Sequence, residues 1–191
     1  LYGIALGVPS LIGMFRDWGI NMAMVRCIAQ YRAEGRESEI RSVVVSGFLF
    51  EIVIGLLLSI ITFLLSGFLA DLYNRPTIAP LIQIVSIVIL ANGIINAATA
   101  AFTGLERMEL NSVMLISQSV IKTALILLLV SPLFGLGAYG ASIGFITGAL
   151  VAGVIGVILI LSIYRKLPKA ETFKLEVKAY IHAMLVYGVP L

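Results

Sequence analysis

The chain has 191 residues, of which 60% are hydrophobic and only 12% are charged, and its formal net charge is +3. Its mean hydropathy is +1.09. Because an ordinary globular domain carries about 25% charged residues, a soluble domain of this size could not cover its surface with so few. These values exclude a soluble domain and predict an all-α membrane protein, a polytopic helical bundle.

Long apolar runs predict five membrane-spanning helices, since a span needs roughly 20 residues. They lie at about 1–28, 42–69, 78–102, 111–132 and 138–164. The turn signals Asn74-Arg75-Pro76 and Pro132-Leu133-Phe134-Gly135 separate two pairs of spans. No strand alternation occurs, and runs of this length exclude a membrane β-barrel.

The segment after the fifth span has a different pattern. Between 165 and 185, Phe173, Val177, Tyr180 and Met184 recur at helical spacing, with Lys174, Lys178 and His182 on another face. This pattern predicts an amphipathic linker on the membrane surface, with a plain solvated linker as the alternative. Residues 186–191 resemble the start of a further span. We therefore expect an internal fragment, most of the N-terminal half of a two-lobed transporter, with one helix missing upstream.

Basic residues between the spans are distributed unevenly. Ten lie at one end of the predicted bundle: Arg26, Arg32, Arg36, Arg41, Arg107, Arg165, Lys166, Lys169, Lys174 and Lys178. Only Arg75 lies in the connections at the other end. The positive-inside rule places the basic end in the cytoplasm. We therefore expect a multi-pass protein of the cell membrane, with cytoplasmic loops near 32–41, 104–110 and 165–185.

Charged and amide side chains inside the spans are the main candidates for function. A charge costs about 2.5–3.5 kcal/mol at a helix centre on insertion scales, so it usually faces a polar cavity or a partner. The candidates for lining such a cavity are Arg16, Asp17, Arg26, Glu51, Asn92, Asn96, Gln118 and Lys122.

Two interpretations of these residues remain open. In the first, Arg16 and Lys122 bind an anionic cargo such as a phosphate or diphosphate. In the second, the charges form internal pairs, for example Lys122 with Asp17 or Arg16 with Glu51. For Asn92 and Asn96 the alternative is a hydrogen bond between helices, and for Arg26 it is snorkelling to lipid headgroups.

The fifth span carries small residues at every fourth position: Gly140, Gly144, Gly148, Ala152 and Gly156. Such a stripe predicts close packing against another helix, because small side chains let two backbones approach. A sliding face in a moving transporter is the functional alternative.

Other classes of function find little support in the sequence. His182 is the single histidine, Cys27 the single cysteine, and no cluster has metal-ligand spacing. No phosphate-binding glycine loop or nucleophile motif occurs, so we predict neither a cofactor nor an enzyme. We predict no nucleic-acid partner, because the basic residues follow membrane topology. Nothing in the sequence indicates an oligomeric state.

Three stretches resemble one transporter family. The first is Phe15-Arg16-Asp17-Trp18-Gly19-Ile20, followed by Ala23, Arg26, Ala29 and the loop Tyr31-Arg32-Ala33-Glu34-Gly35. The second is Phe102-Thr103-Gly104-Leu105-Glu106-Arg107-Met108 with Asn111, and the third is Tyr187-Gly188-Val189-Pro190-Leu191. In their order and spacing the chain resembles the polysaccharide flippases of the multidrug/oligosaccharidyl-lipid/polysaccharide exporter superfamily. Asp17 and Arg26 match the pattern of the second helix of that family, whereas Arg16 and Lys122 match no motif position.

The resemblance implies two helical bundles around a central cavity that opens alternately to either side. It further implies transport of a lipid-linked oligosaccharide, in contact with membrane lipid, driven by an ion gradient such as Na⁺ or H⁺ or by membrane potential. The nearest alternative is a drug or cation antiporter of the same superfamily. A membrane enzyme acting on a lipid-linked sugar is a further alternative, disfavoured by the short loops.

Overall fold

A computed structural model describes residues 19–74, 76–131 and 136–165, apart from the side chains of Glu37 and Tyr164. Within these residues the chain forms six α-helices: α1 Ile20–Ala33, α2 Glu37–Leu64, α3 Ser66–Leu72, α4 Ala79–Gly104, α5 Met108–Val130 and α6 Gly137–Tyr164. A 3₁₀ turn, Pro76–Ile78, precedes α4. No strand occurs in this part of the chain.

Four of the helices are long and apolar enough to cross a membrane: α2, α4 (counted with the 3₁₀ turn that precedes it), α5 and α6. Their outward faces are apolar too, as on α2, where Val53, Leu57 and Leu64 are exposed. Such surfaces fit a lipid environment, in which backbone polar groups must be satisfied inside the helix. The predicted class, an all-α polytopic membrane protein, is therefore confirmed.

The helix bounds differ in detail from the predicted spans. The first span, about 1–28, is described only from residue 19 onward, and α1 continues to Ala33. The second span, 42–69, falls on two helices, α2 and α3, which are separated at Leu65. The Ser66-Gly67 pair follows this break, and such pairs are a usual cause of bends in helices. The linker at 165–185 and the residues 186–191 lie beyond the described part, except for Arg165.

Helix α4 is at the centre of the bundle. In the most apolar 18-residue stretch of α4, 56% of the residues are buried, against 6% in the corresponding stretch of α5. A Cβ at Gly55 of α2 would lie 3.2 Å from the Leu90 backbone of α4, and Gly153 of α6 approaches the Ala91 carbonyl on another side. Helix α1 crosses the end of α4, where Ile28 packs on Gly104. Helices α1, α2 and α6 thus surround α4, while α5 packs chiefly on α6.

The predicted small-residue stripe does bring two helices together. A Cβ at Gly140 would lie 2.9 Å from the Leu129 carbonyl, at Gly144 2.9 Å from the Ile126 amide, and at Gly148 2.7 Å from Lys122 Cβ. All three contacts are with α5, and Gly156 meets Met114 near the start of that helix. The prediction of close packing along this stripe is confirmed, and α5 and α6 run antiparallel.

The loops after α1 and α4 end their helices with the same backbone pattern. In the first, the Gly35 and Arg36 amides donate to the Arg32 and Tyr31 carbonyls; in the second, the Glu106 and Arg107 amides donate to those of Thr103 and Phe102. Both are Schellman motifs, which need a left-handed residue after the helix. Gly35 supplies it with φ 70°, whereas Glu106 adopts φ 55° despite its side chain.

An ion pair joins these two loops. Arg32 Nη1 donates to the Leu105 carbonyl at 3.0 Å and to Glu106 Oε2 at 2.8 Å. The connections 34–36 and 105–107 therefore lie at the same end of the bundle. Because α6 is antiparallel to α5, Arg165 at the end of α6 lies at that end as well. We call it the basic end.

Local ion pairs order the first of these loops further. Arg36 donates to Glu34 and Glu39, and its guanidinium lies over the Tyr31 ring at 4.8 Å. The Gln30 amide and the Arg36 guanidinium hydrogen-bond the Glu34 carboxylate and lower its pKa. Because the side chains of Arg36 and Glu34 are exposed, these contacts orient the loop more than they stabilise the fold.

We predict that Gly148→Leu destabilises the protein, because the added side chain would collide with the Lys122 backbone at the α5–α6 contact. Overpacking typically costs about 1–3 kcal/mol, or roughly 2–4 °C in melting temperature per kcal/mol. Gly67→Leu is the matched control, since nothing lies within 4 Å of a Cβ at that position. The melting temperatures of both variants in detergent would be measured by size-exclusion chromatography after heating. Equal melting temperatures for Gly148→Leu and Gly67→Leu would contradict the prediction.

Candidate functional site

One face of α4 is polar between positions 92 and 99, in the C-terminal half of the helix. Asn92, Asn96 and Thr99 follow one another at i, i+4 and i+7, so they share this face, and all three are half-buried. The Thr99 hydroxyl donates to Asn111 Oδ1 of α5 at 3.0 Å. The polar face of α4 is therefore joined to α5 next to the turn that connects the two helices.

Helix α5 continues the polar surface from Asn111. Gln118 and Lys122 follow at i+7 and i+11, on the same side of the helix, and both are half-buried. Since α4 and α5 are antiparallel and meet at Thr99 and Asn111, Gln118 lies at the depth of Asn92. Lys122 lies about one turn further from the basic end, roughly 21 Å along α5 from Met108. The two polar faces therefore lie at matching depth on consecutive helices, which meet at the Thr99–Asn111 bond.

Lys122 is held at this depth by α6. Its backbone packs against Gly148, as described above, and its ammonium nitrogen lies 5.7 Å from the centre of the Phe145 ring. A cation over an aromatic face is stabilised by about 0.5–2 kcal/mol. Among the described residues no carboxylate lies within ion-pair distance of Lys122, so the positive charge remains available to an anion in that part of the structure.

Glu51 lies in a different interface, where α1, α2 and α4 meet. It is only 1% exposed, and Asn21 Nδ2 of α1 donates to its Oε1 at 2.9 Å. A Cβ at Gly93 of α4 would lie 3.2 Å from both the backbone oxygen and Oε2 of Glu51. Glycine at position 93 therefore makes room for the carboxylate between the helices.

The predicted candidates thus separate into groups. The structure places Asn92 and Asn96 on one face of α4, Gln118 and Lys122 on the side of α5 that packs against α6, and Glu51 in another interface. Arg26 is exposed on α1, one turn beyond Met22. Arg16 and Asp17 lie outside the described residues, so the pairings proposed for them remain predictions.

Three polar residues of these interfaces are absent from the sequence-based candidates: Asn21, Thr99 and Asn111. Asn21 could have been found from its position, since an amide inside a predicted span needs a partner. Thr99 lies one turn beyond Asn96 on the same face, which is also visible in the sequence. Asn111 stands at the predicted start of a span, where a polar residue needs no special explanation.

Comparison with known proteins identifies the kind of transporter. A family model described as "Polysaccharide biosynthesis protein" matches residues 1–191. The chain belongs to this family. It comprises the polysaccharide flippases of the multidrug/oligosaccharidyl-lipid/polysaccharide exporter superfamily, so the resemblance found in the sequence is confirmed. No curated protein and no solved structure matches the chain.

Membership of the family agrees with the geometry. A flippase of polysaccharide precursors is a multi-pass membrane protein. The four long apolar helices of the described bundle agree with this class. Within the described residues no group of three or more His, Cys, Asp or Glu side chains could hold a metal ion. The polar side chains inside the described spanning helices include amide groups, hydroxyl groups and the ammonium group of Lys122.

We predict that Glu51→Leu destabilises the α1–α2–α4 interface, because it removes the acceptor of the Asn21 amide. A buried donor left without a partner costs about 1–3 kcal/mol. Glu51→Gln keeps an acceptor oxygen and should be milder. Val53→Leu is the control, since Val53 is exposed on the same helix. The three melting temperatures in detergent give the test; a Glu51→Leu protein as stable as the parent would show that the carboxylate does not hold the interface.

Proposed function

We propose that the protein moves a lipid-linked oligosaccharide, a precursor of polysaccharide, across the cytoplasmic membrane by alternating access. The match of the whole chain to the polysaccharide biosynthesis family carries this proposal. A polysaccharide precursor bound to a lipid carrier has an apolar tail, a polar sugar head and an anionic phosphate or diphosphate between them. The protein must therefore offer a polar path through the membrane next to lipid.

Lys122 is the candidate contact for the phosphate groups. It lies inside a membrane-spanning helix, carries a positive charge and meets no described carboxylate. Keeping such a charge at this depth is costly, which favours a role in binding an anion. Asn92 and Asn96 on α4 and Gln118 on α5, at a similar depth, are candidates to supply donors and acceptors for the head group. Arg16 is a second candidate cation from the sequence.

Transport would be coupled to a gradient of Na⁺ or H⁺, or to membrane potential. Glu51 is the buried carboxyl group in the described bundle that a coupling cation could address. Its hydrogen bond from Asn21 and its contact with Gly93 connect it to three helices, so a change in its charge would alter their packing.

The basic end is proposed to face the cytoplasm. The loops 34–36 and 105–107 lie there together with Arg165, and this is the end at which the basic residues concentrate. Positively charged loops are retained on the cytoplasmic side during membrane insertion.

We predict that Lys122→Ala abolishes surface polysaccharide while the protein remains in the membrane, and that Arg16→Ala does the same. Losing one charge-assisted contact of about 1.5–3 kcal/mol would weaken head-group binding roughly 10- to 100-fold. Lys122→Arg should retain part of the activity because it preserves the charge. Arg165→Ala, which removes an exposed charge at the end of α6, is the control.

The measurement is surface polysaccharide in cells whose own copy of the protein carries the variant, together with protein abundance in the membrane fraction. A Lys122→Ala strain with normal polysaccharide would remove Lys122 from the mechanism. Loss of polysaccharide with an equal loss of protein would indicate a folding defect instead.

We predict opposite labelling of cysteines placed at the two ends of the bundle. Asp71→Cys, after α2, should react with a membrane-impermeant maleimide on intact spheroplasts. Glu109→Cys, at the basic end, should react only after the membrane is permeabilised. Both native side chains are exposed, so access depends on sidedness alone. The reverse pattern would contradict the proposed orientation.

A further inference from the structure

Helix α3 follows a span that is already long enough to cross the whole membrane. Helix α2 has 28 residues, so it is about 42 Å long. A bilayer is about 30 Å thick in its hydrocarbon core and about 40–45 Å thick with its headgroup regions. When α2 starts at the membrane surface on the side of the basic end, Leu64 at its other end reaches the headgroups of the opposite leaflet. Helix α3 therefore begins at headgroup level.

Helix α6 indicates the same level independently. It also has 28 residues, and it ends at the basic end, so its first residue, Gly137, lies about 42 Å away from that end. Tyr139 is exposed beside this start, and Tyr73 is exposed directly after α3. Because tyrosine is enriched where membrane and water meet, these two side chains mark the headgroup level opposite the basic end.

The exposed surface of α3 has an apolar side and a polar side. Phe68 is 65% exposed and Leu72 is 67% exposed. They are four residues apart, so they share one face of the helix. Gly67 and Asp71 each precede one of them and form a second exposed face, about 100° away. Helix α3 is therefore amphipathic on the surface that it exposes.

The apolar face of α3 continues the lipid-facing surface of α2. Ile61, Leu64 and Phe68 are exposed and follow one another at i, i+3 and i+7. Helical hydrogen bonds continue across the break, because the Leu65 amide donates to the Ile61 carbonyl and the Leu69 amide donates to the Leu65 carbonyl. One exposed apolar surface thus runs from the middle of the membrane to the headgroup level, and lipid is the partner that fits its whole length.

The remaining face of α3 packs on the start of α4. Ala70 is fully buried and forms a small apolar cluster with Ile78 and Ile82. This cluster is separate from the main core of the bundle. Contacts that hold α3 in place therefore also hold the 3₁₀ turn and the first turn of α4, the central helix.

We propose that α3 is an interfacial anchor, in which Phe68 and Leu72 lie at the boundary between the headgroups and the acyl chains of the leaflet opposite the basic end. Asp71 faces water, and the Ala70 cluster fixes the start of α4 to this anchor. Amphipathic helices lie at this boundary with their apolar face buried about 5–10 Å. In water Phe68 and Leu72 would remain hydrated, whereas in the acyl region Asp71 would lose its water. The inference is independent of the proposed function.

Tryptophan depth measurements on the full-length protein test the location. The native tryptophans, Trp18 among them, are replaced by phenylalanine, and single tryptophans are introduced as Phe68→Trp and Leu72→Trp. Val53→Trp is the deep reference, because Val53 is exposed about 4 Å along the helix from the middle of α2. Asp71→Trp is the matched control on the polar side of α3. Each variant that elutes like the parent is reconstituted with lipids brominated near the headgroup or near the chain end, and the ratio of quenching gives the depth.

We expect the tryptophans at 68 and 72 at about 15–20 Å from the bilayer centre, at the edge of the hydrocarbon core. Aqueous iodide should quench Asp71→Trp more strongly than either of them. A depth below about 10 Å would overturn the anchor, since α3 would then belong to a tilted span. In a straight continuation of α2, Phe68 would lie about 26 Å from the middle of that helix, beyond the headgroups. Absence of quenching by either lipid would therefore overturn the anchor as well and indicate water or a protein partner on this face.

Hydrogen exchange in the same bilayers tests whether the anchor holds α4. Combining Phe68→Ser with Leu72→Ser should speed amide exchange several-fold in residues 76–82, while exchange in α5 stays unchanged, because local opening depends on local contacts. Asp71→Ser is the control and should leave both segments at the parent rate. Equal exchange in residues 76–82 of the double variant and the parent would overturn the anchoring of α4.

Discussion

Close approach between helix backbones is the constraint on which this bundle depends. Inside a membrane, helices gain little from hiding apolar surface, so contact area and polar partners must hold them together. Two charged side chains inside the described bundle lie opposite a glycine: Lys122 opposite Gly148 and Glu51 opposite Gly93. Each glycine leaves room for the charged residue opposite it and lets the two helix backbones approach closely. The same contacts therefore pack the helices and place the charges.

The sequence predicted the helices better than the contacts between them. Long apolar runs and turn residues locate the spanning helices, because a segment that crosses lipid must be apolar and must satisfy its own backbone hydrogen bonds. The small residues of α6 mark its packing face. The break at Leu65 lies inside a long apolar stretch, so hydropathy does not reveal it, although the Ser66-Gly67 pair beside it is visible in the sequence. The i, i+4 spacing of Asn92 and Asn96 was enough to place them on one face of α4.

Contacts over long sequence distances could not be predicted in the same way. Asn21 and Glu51 are 30 residues apart, and Arg32 and Glu106 are 74 apart. Which residues meet depends on helix order and rotation, and several arrangements of apolar helices satisfy one hydropathy pattern. The same ambiguity applies to the predicted cavity: the sequence grouped Glu51 with Lys122, whereas the structure places them in separate interfaces.

The packing of α5 against the glycine face of α6 also bears on how the protein is made. A helix that carries Lys122 near its middle partitions into lipid less readily than its neighbour α6, whose most apolar stretch has a mean hydropathy of 2.6 against 2.2 for α5. The glycine face of α6 covers the backbone of α5 at Lys122. We therefore expect α5 to leave the translocon together with α6, as a helical hairpin.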